Sequence, residues 1–171
     1  MYGTAWVIVG NTGTGKTTVA QTLIATADIP KNRVYIHDVN DEYKQFGTCY
    51  QDDKVFLQVA DRALVNNHCG LICYDEATIL LTSNKREEAI MKNLTRRRHT
   101  RNCIIFIFHS LIDTPTWIFR YCDYLILKKT SDAPSAVEKK FLNMVHIWDA
   151  FQAVSIESKS DQYFHETVKL R

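Results

Sequence analysis

The chain has 171 residues, 46% of them hydrophobic and 11% aromatic, which suits one globular domain with a proper core and excludes a disordered chain. A formal net charge of +2 excludes a globally basic nucleic-acid coat, so any such contact must come from a local patch.

The first apolar run, Ala5–Val9, reads as a buried strand and leads into G-x-x-x-x-G-K-T: Gly10, Gly15, Lys16 and Thr17. An apolar-periodic segment follows to Ala27, a helix expected to face the sheet with Val19, Leu23 and Ile24. Strand, glycine loop and helix in that order make a phosphate cradle. Glycines let successive N–H groups turn inward, and the helix N-terminus adds a positive dipole end. The expected nucleotide contacts run through Gly10, Asn11, Thr12, Gly13, Thr14, Gly15, Lys16, Thr17 and Thr18. Lys16 would reach the terminal phosphates of ATP, and the Thr17 hydroxyl would enter a Mg2+ shell.

A second strand is expected over Arg33–Val39, a helix over Leu57–Asn66, and a third strand over Gly70–Tyr74, ending in Asp75-Glu76. An acid pair after a buried strand suits ATP hydrolysis, with Asp75 on the metal and Glu76 orienting and deprotonating the attacking water. Lys85–Arg98 reads as a helix with Ile90 and Leu94 on one face, Arg97 and Arg98 on the same side, and Arg96 opposite. Three readings of its basic end stand open. The arginines complement the helix dipole, or Arg97 or Arg98 is an arginine finger for a neighbouring subunit, or the end contacts DNA phosphates.

The strand Cys103–Phe108 ends in His109 and Ser110. Ser110 is expected to continue the Phe106 and Phe108 alternation and sense the γ-phosphate, with His109 a half-buried structural histidine. Tyr124–Leu127 is another strand. Ser135–Val154 reads as one amphipathic helix whose apolar side is Val137, Phe141, Met144, Val145, Trp148 and Phe151, and the tail alternates as an added edge strand.

The cysteines, Cys49, Cys69, Cys73, Cys103 and Cys122, are odd in number and scattered, which favours buried thiols in a reducing compartment over a zinc site. The start is no signal peptide, and the longest later apolar run is too short to span a bilayer, so a soluble, cytosolic protein is expected.

Together, the phosphate loop "GNTGTGKTT", "HDVNDEY", "LICYDEA", "RRRHTRNCIIFIFHS" and "YCDYLILKKTSD" resemble the FtsK–HerA superfamily, most of all the small genome-packaging ATPases of tailless, jelly-roll-capsid viruses. The resemblance implies a P-loop NTPase three-layer α/β/α sandwich with a mainly parallel sheet, of the additional-strand, catalytic-glutamate type. The sensor strand would lie between the phosphate-loop and acid-pair strands. It implies one domain, with a core over about residues 4–130 and a C-terminal helix and edge strand over about 135–171. It also implies an ATP-driven motor translocating double-stranded DNA into a preformed capsid. Such a motor is a homo-oligomeric ring, pentamer or hexamer, meeting a capsid or vertex protein in the host cytoplasm or virion. Where family members carry Gln at the sensor position this sequence has Ser110, and the added domains of helicase and translocase members are not seen. A nucleotide or small-molecule kinase, a non-hydrolysing nucleotide switch, and a filamentous-phage-type assembly ATPase without its membrane anchor are the alternatives.

Overall fold

Parallel strands covered on both faces must be apolar throughout. Strand β5 (Cys103–Phe108), buried at every position, sits near the middle of the sheet for that reason. The computed structural model describes residues 3–66 and 69–171 of the chain. The other strands are β1 (Ala5–Val9), β2 (Val34–His37), β3 (Thr48–Tyr50), β4 (Leu71–Tyr74), β6 (Tyr124–Lys128) and β7 (His165–Lys169). Between them run α1 (Lys16–Thr26), α2 (Asp53–Asn66), α3 (Ala77–Leu80), α4 (Asn84–Thr100), α5 (Thr116–Tyr121), α6 (Pro134–Lys140) and α7 (Val145–Glu157). The sheet order is β3-β2-β4-β5-β1-β6-β7, parallel except for β7, which runs antiparallel to β6. The chain is therefore an α/β sandwich in which β5, the strand expected to end in the sensor, lies between β1 before the glycine loop and β4 before the acid pair, the order that the resemblance implies.

The two faces are unequally covered. Phe106 and Phe108 pack with Phe56 of α2, Leu94 of α4, Phe119 of α5 and Phe151 of α7, so that α2 to α7 all lie on one side. On the other side Ile8, Ile36, Ile105 and Ile107 meet α1 through Ala20 and Ile24, joined by Tyr43. Val19 and Leu23 are only half-buried, so the expected α1 face is rotated by one position towards Ala20.

Three features depart from the sequence reading. The edge strand β3 is absent from it, and so are the short helices α3 and α5. The single helix expected over Ser135–Val154 is broken, because Phe141 (φ −110°) and Met144 (φ −135°) leave the helical region. On a continuous helix residues 141 and 147 would sit roughly 120° apart, whereas the break lets Phe141 and Ile147 both bury. Val145, expected on the apolar side, is exposed in consequence. The end of α6 is pinned by Lys140, whose ammonium donates to the carbonyls of Leu111 (2.9 Å), Ile112 (2.5 Å) and Thr114 (2.6 Å).

Candidate nucleotide-binding site

The loop between β1 and α1 is built by contacts that only these residues allow. The Gly10 N–H donates to Phe108 O (3.1 Å) and the Asn11 N–H to Lys129 O (2.7 Å), wedging the loop between β5 and β6. A Cβ on Gly10 would lie 2.7 Å from Lys128 Cβ and 2.9 Å from Thr14 Oγ1, so no side chain fits. Gly13 and Gly15 both hold φ 80°, the left-handed region that other residues reach only with strain. The Asn11 carbonyl accepts from Thr14 Oγ1 (2.8 Å) and from Lys16 Nζ (2.9 Å), and the Asn11 side chain is clasped by Ser131. Of the expected nucleotide contacts, Thr12, Gly13, Gly15, Lys16, Thr17 and Thr18 line a cleft of about 400 Å³. Gly10, Asn11 and Thr14 shape the loop instead.

Across the cleft stand Asp75 and Glu76. Asp75 is almost fully buried, and burial with the Glu76 charge beside it raises its pKa to about 7, although its carboxylate accepts the Glu76 N–H at 3.1 Å. Glu76 takes a left-handed backbone conformation (φ 52°) before α3. Beneath the pair, His37 is fully buried with each ring nitrogen facing an acceptor. Nδ1 lies 2.8 Å from Asp75 O, and Nε2 lies 3.1 Å from Asp53 Oδ1, whose other oxygen holds Arg86 (3.3 Å). The acid pair is thereby tied to α2 and α4.

The segment "DVNDEY" proves to be a device for placing a third acid. Asp38, buried at the end of β2, accepts the N–H groups of Glu42 and Tyr43 (both 2.9 Å). The resulting turn brings Glu42 Oε2 to 3.3 Å from the Thr17 hydroxyl. Three carboxylates and the Thr17 hydroxyl thus line one cleft with the Lys16 ammonium. Burial lowers the Lys16 pKa, against the pull of Glu76, Asp75 and Glu42. Hard oxygen donors with surplus negative charge fit Mg2+, which takes only one or two protein oxygens beside a nucleotide. Among the described residues no group of three or more His, Cys, Asp or Glu side chains converges on a metal position by itself.

The sensor expectation is corrected by strand parity. Ile105 and Ile107 face α1, and His109 continues their series into the cleft, whereas Ser110 follows Phe106 and Phe108 towards the opposite face. Ser110 Oγ is committed to the following turn, donating to Asp132 (2.6 Å) and accepting from the N–H groups of Ile112 and Asp113. His109 Nε2 lies 2.7 Å from both Glu76 oxygens, and Nδ1 lies 3.3 Å from Lys16 Nζ. Since an ammonium can only donate and a carboxylate only accept, Nδ1 accepts from Lys16 and Nε2–H donates to Glu76.

The arginines lie at the other end of the sheet. Arg97 is buried with Ile90 and Leu94 and donates to Leu94 O (2.7 Å) and Asp123 Oδ2 (2.7 Å). Asp123 also accepts the Ala5 N–H and Arg98, at the start of β1 and roughly 15 Å of strand away from the phosphate loop. A side chain 2% exposed cannot enter a neighbour's cleft, so Arg97 fails as a finger in this conformation. The Arg98 side chain is 54% exposed, and Arg101, in the left-handed cap of α4, is exposed as well.

Asn40, Glu42 and Tyr163 also line the cleft, although the sequence motifs do not single them out. Asn40 and Glu42 lie in "DVNDEY", where the spacing of Glu42 from Asp38 is the usable signal, and Tyr163 lies in the tail, whose alternation marks only a strand.

No protein-family model matches the chain, and no curated protein matches it in sequence. Solved structures do match. The genome packaging NTPase of Sulfolobus turreted icosahedral virus 2, in complex with AMP, aligns with a TM-score of 0.73 at 17% identity, over 99% of this chain and 94% of that one. The DNA-packaging ATPase of Sulfolobus turreted icosahedral virus aligns with a TM-score of 0.72 at 16% identity, over 99% and 93%. A KaiC-like protein from Pyrococcus horikoshii OT3 aligns with a TM-score of 0.51 at 17% identity, over 75% and 72%. Over nearly its whole length, this chain shares the fold of those viral packaging NTPases.

Proposed function

We propose that the chain is an ATPase that hydrolyses ATP in this cleft and couples turnover to the movement of double-stranded DNA during viral genome packaging. The observation that carries the hydrolytic reading is the convergence of Lys16, Thr17, Asp75, Glu76 and His109 on one cleft beside a left-handed glycine loop. Inward N–H groups and Lys16 bind the terminal phosphates. Thr17 and Asp75 would hold Mg2+, which when bound neutralises phosphate charge. Glu76 orients the lytic water and takes its proton, and His109 takes the sensor role expected of Ser110. A phosphate that claims Lys16 removes the ammonium from His109 Nδ1 and so alters the partner that holds Glu76.

The DNA reading rests on the shared fold with packaging NTPases and on the sequence resemblance. In this reading the subunits form a homo-oligomeric ring, pentamer or hexamer, around duplex DNA at a capsid vertex in the host cell. Arg98 or Arg101 is then the finger, and Arg97 is the strut that holds the end of α4. Among the described residues no helix is long and apolar enough to cross a membrane.

Steady-state ATP hydrolysis with and without duplex DNA tests the proposal. Turnover that rises several-fold with DNA is expected. Phosphoryl transfer to a small acceptor, with no response to DNA, would establish the kinase reading instead.

A further inference from the structure

The cleft has two flanks, and the sheet order separates them. Glu76 and His109 follow β4 and β5 on one side of β1, and Tyr163, which precedes β7, approaches across β6 on the other. A nucleoside triphosphate whose γ-phosphate lies at the acids must send its base towards the far flank. Tyr163 stands there. A Cβ placed on Gly15 would come within 3.4 Å of its ring, so the ring rests against the phosphate loop itself.

The backbone of Tyr163 is fixed although its side chain is exposed. Its carbonyl accepts from the buried Lys128 ammonium (2.9 Å), and its N–H donates to Asp161 Oδ1 (2.8 Å). The next residue, Phe164, packs on the core, and β7 then pairs His165 with Lys128. An apolar ring held this firmly is nonetheless 57% exposed, in a cleft otherwise lined by glycines and polar groups. Such a ring has a flat face to offer and little protein to offer it to.

We propose that the Tyr163 ring is the stacking platform for the nucleobase of the bound triphosphate, a subsite that rests on the nucleotide-binding reading above. Every base has a π-face, so a platform of this kind tolerates the base and does not read its edge. The substrate class is nucleoside triphosphates in general, with GTP accepted alongside ATP.

Isothermal titration with Mg2+ present, comparing ATP, GTP and inorganic tripolyphosphate, tests the platform. Wild type should bind ATP and GTP within a few-fold of each other. Tyr163→Ala should weaken both by about 10–100-fold and leave tripolyphosphate binding unchanged, and Tyr163→Phe should behave as wild type. ATP affinity within twofold of wild type in Tyr163→Ala would overturn the proposal. So would a parallel loss of tripolyphosphate, because the ring would then be supporting the loop. A wild type that binds neither ATP nor tripolyphosphate would overturn the phosphate-loop reading, and the platform with it.

Discussion

Asp75 carries an electrostatic cost that the cleft leaves uncompensated until a cation arrives. Burial, with Glu76 beside it, raises its pKa to about 7 from the ordinary 3.8. Between those values the folded chain holds a proton that the unfolded chain has lost, so stability falls as pH rises through that window and is level above it. Asp75→Asn keeps the acceptor for the Glu76 N–H and removes the charge. In the absence of divalent cations it should therefore stabilise the protein at pH 8 by roughly 1–3 kcal/mol and change it little near pH 4, while hydrolysis is lost. Thermal unfolding at the two pH values reads the difference directly. An equal effect at both would show that the Asp75 charge is not strained.

At the scale of elements, α1 is held to its thinly covered face by few side chains, and the observed burial says which. Ile24 is 4% exposed, and removing it from the interior forfeits roughly 1.5–3 kcal/mol before any charge is buried. Ile24→Asp should unfold the domain, whereas Leu23→Asp, on the half-buried flank, should leave a folded protein by circular dichroism. The opposite ranking would mean that the helix is rotated. The same rotation explains what the sequence disclosed and what it withheld. Short apolar runs bounded by turn or helix signals, such as Ala5–Val9 and Cys103–Phe108, read as buried strands, and the glycine loop requires its helix, so these core elements are legible, whereas their order in the sheet is implied only by the family resemblance. The three-residue strand β3 has no period to detect. The break between Phe141 and Met144 is set by what Ile147 must reach, which is tertiary information. At the site, the phosphate loop and acid pair were legible because their chemistry is local. The placement of His109 in the cleft was not, because it depends on which sheet face α1 occupies, and composition does not reveal that face.

Across the whole molecule, two sheet ends do different work. The C-terminal strand ends hold the cleft, and the opposite end is closed by Asp123 with Arg97 and Arg98. Burial works to raise the Asp123 pKa, but hydrogen bonds from Arg97, Ala5 and Arg98 outweigh it and hold the carboxylate below its ordinary value. Its stabilising contribution is present above that ordinary value and is lost as pH falls through the depressed one. Arg97→Ala removes one of three donors from a partly buried carboxylate that keeps Arg98 and the Ala5 N–H, and should cost about 1.5–3 kcal/mol at neutral pH, less in acid, in urea unfolding. Arg98→Ala should fold normally. If Arg98 is a finger, its variant binds ATP, turns over slowly, and regains activity when mixed with Glu76→Gln subunits whose arginines are intact. Normal turnover by Arg98→Ala alone would pass the role to Arg101 or remove it. Glu76→Gln also isolates the hydrolytic step. Gln is isosteric and still accepts from His109, so the phosphate loop and metal oxygens stay in place while the base is lost. A paired measurement of ATP affinity and steady-state turnover on this variant should give wild-type binding with turnover reduced by about 10²–10⁴-fold; turnover within a few-fold of wild type would contradict it.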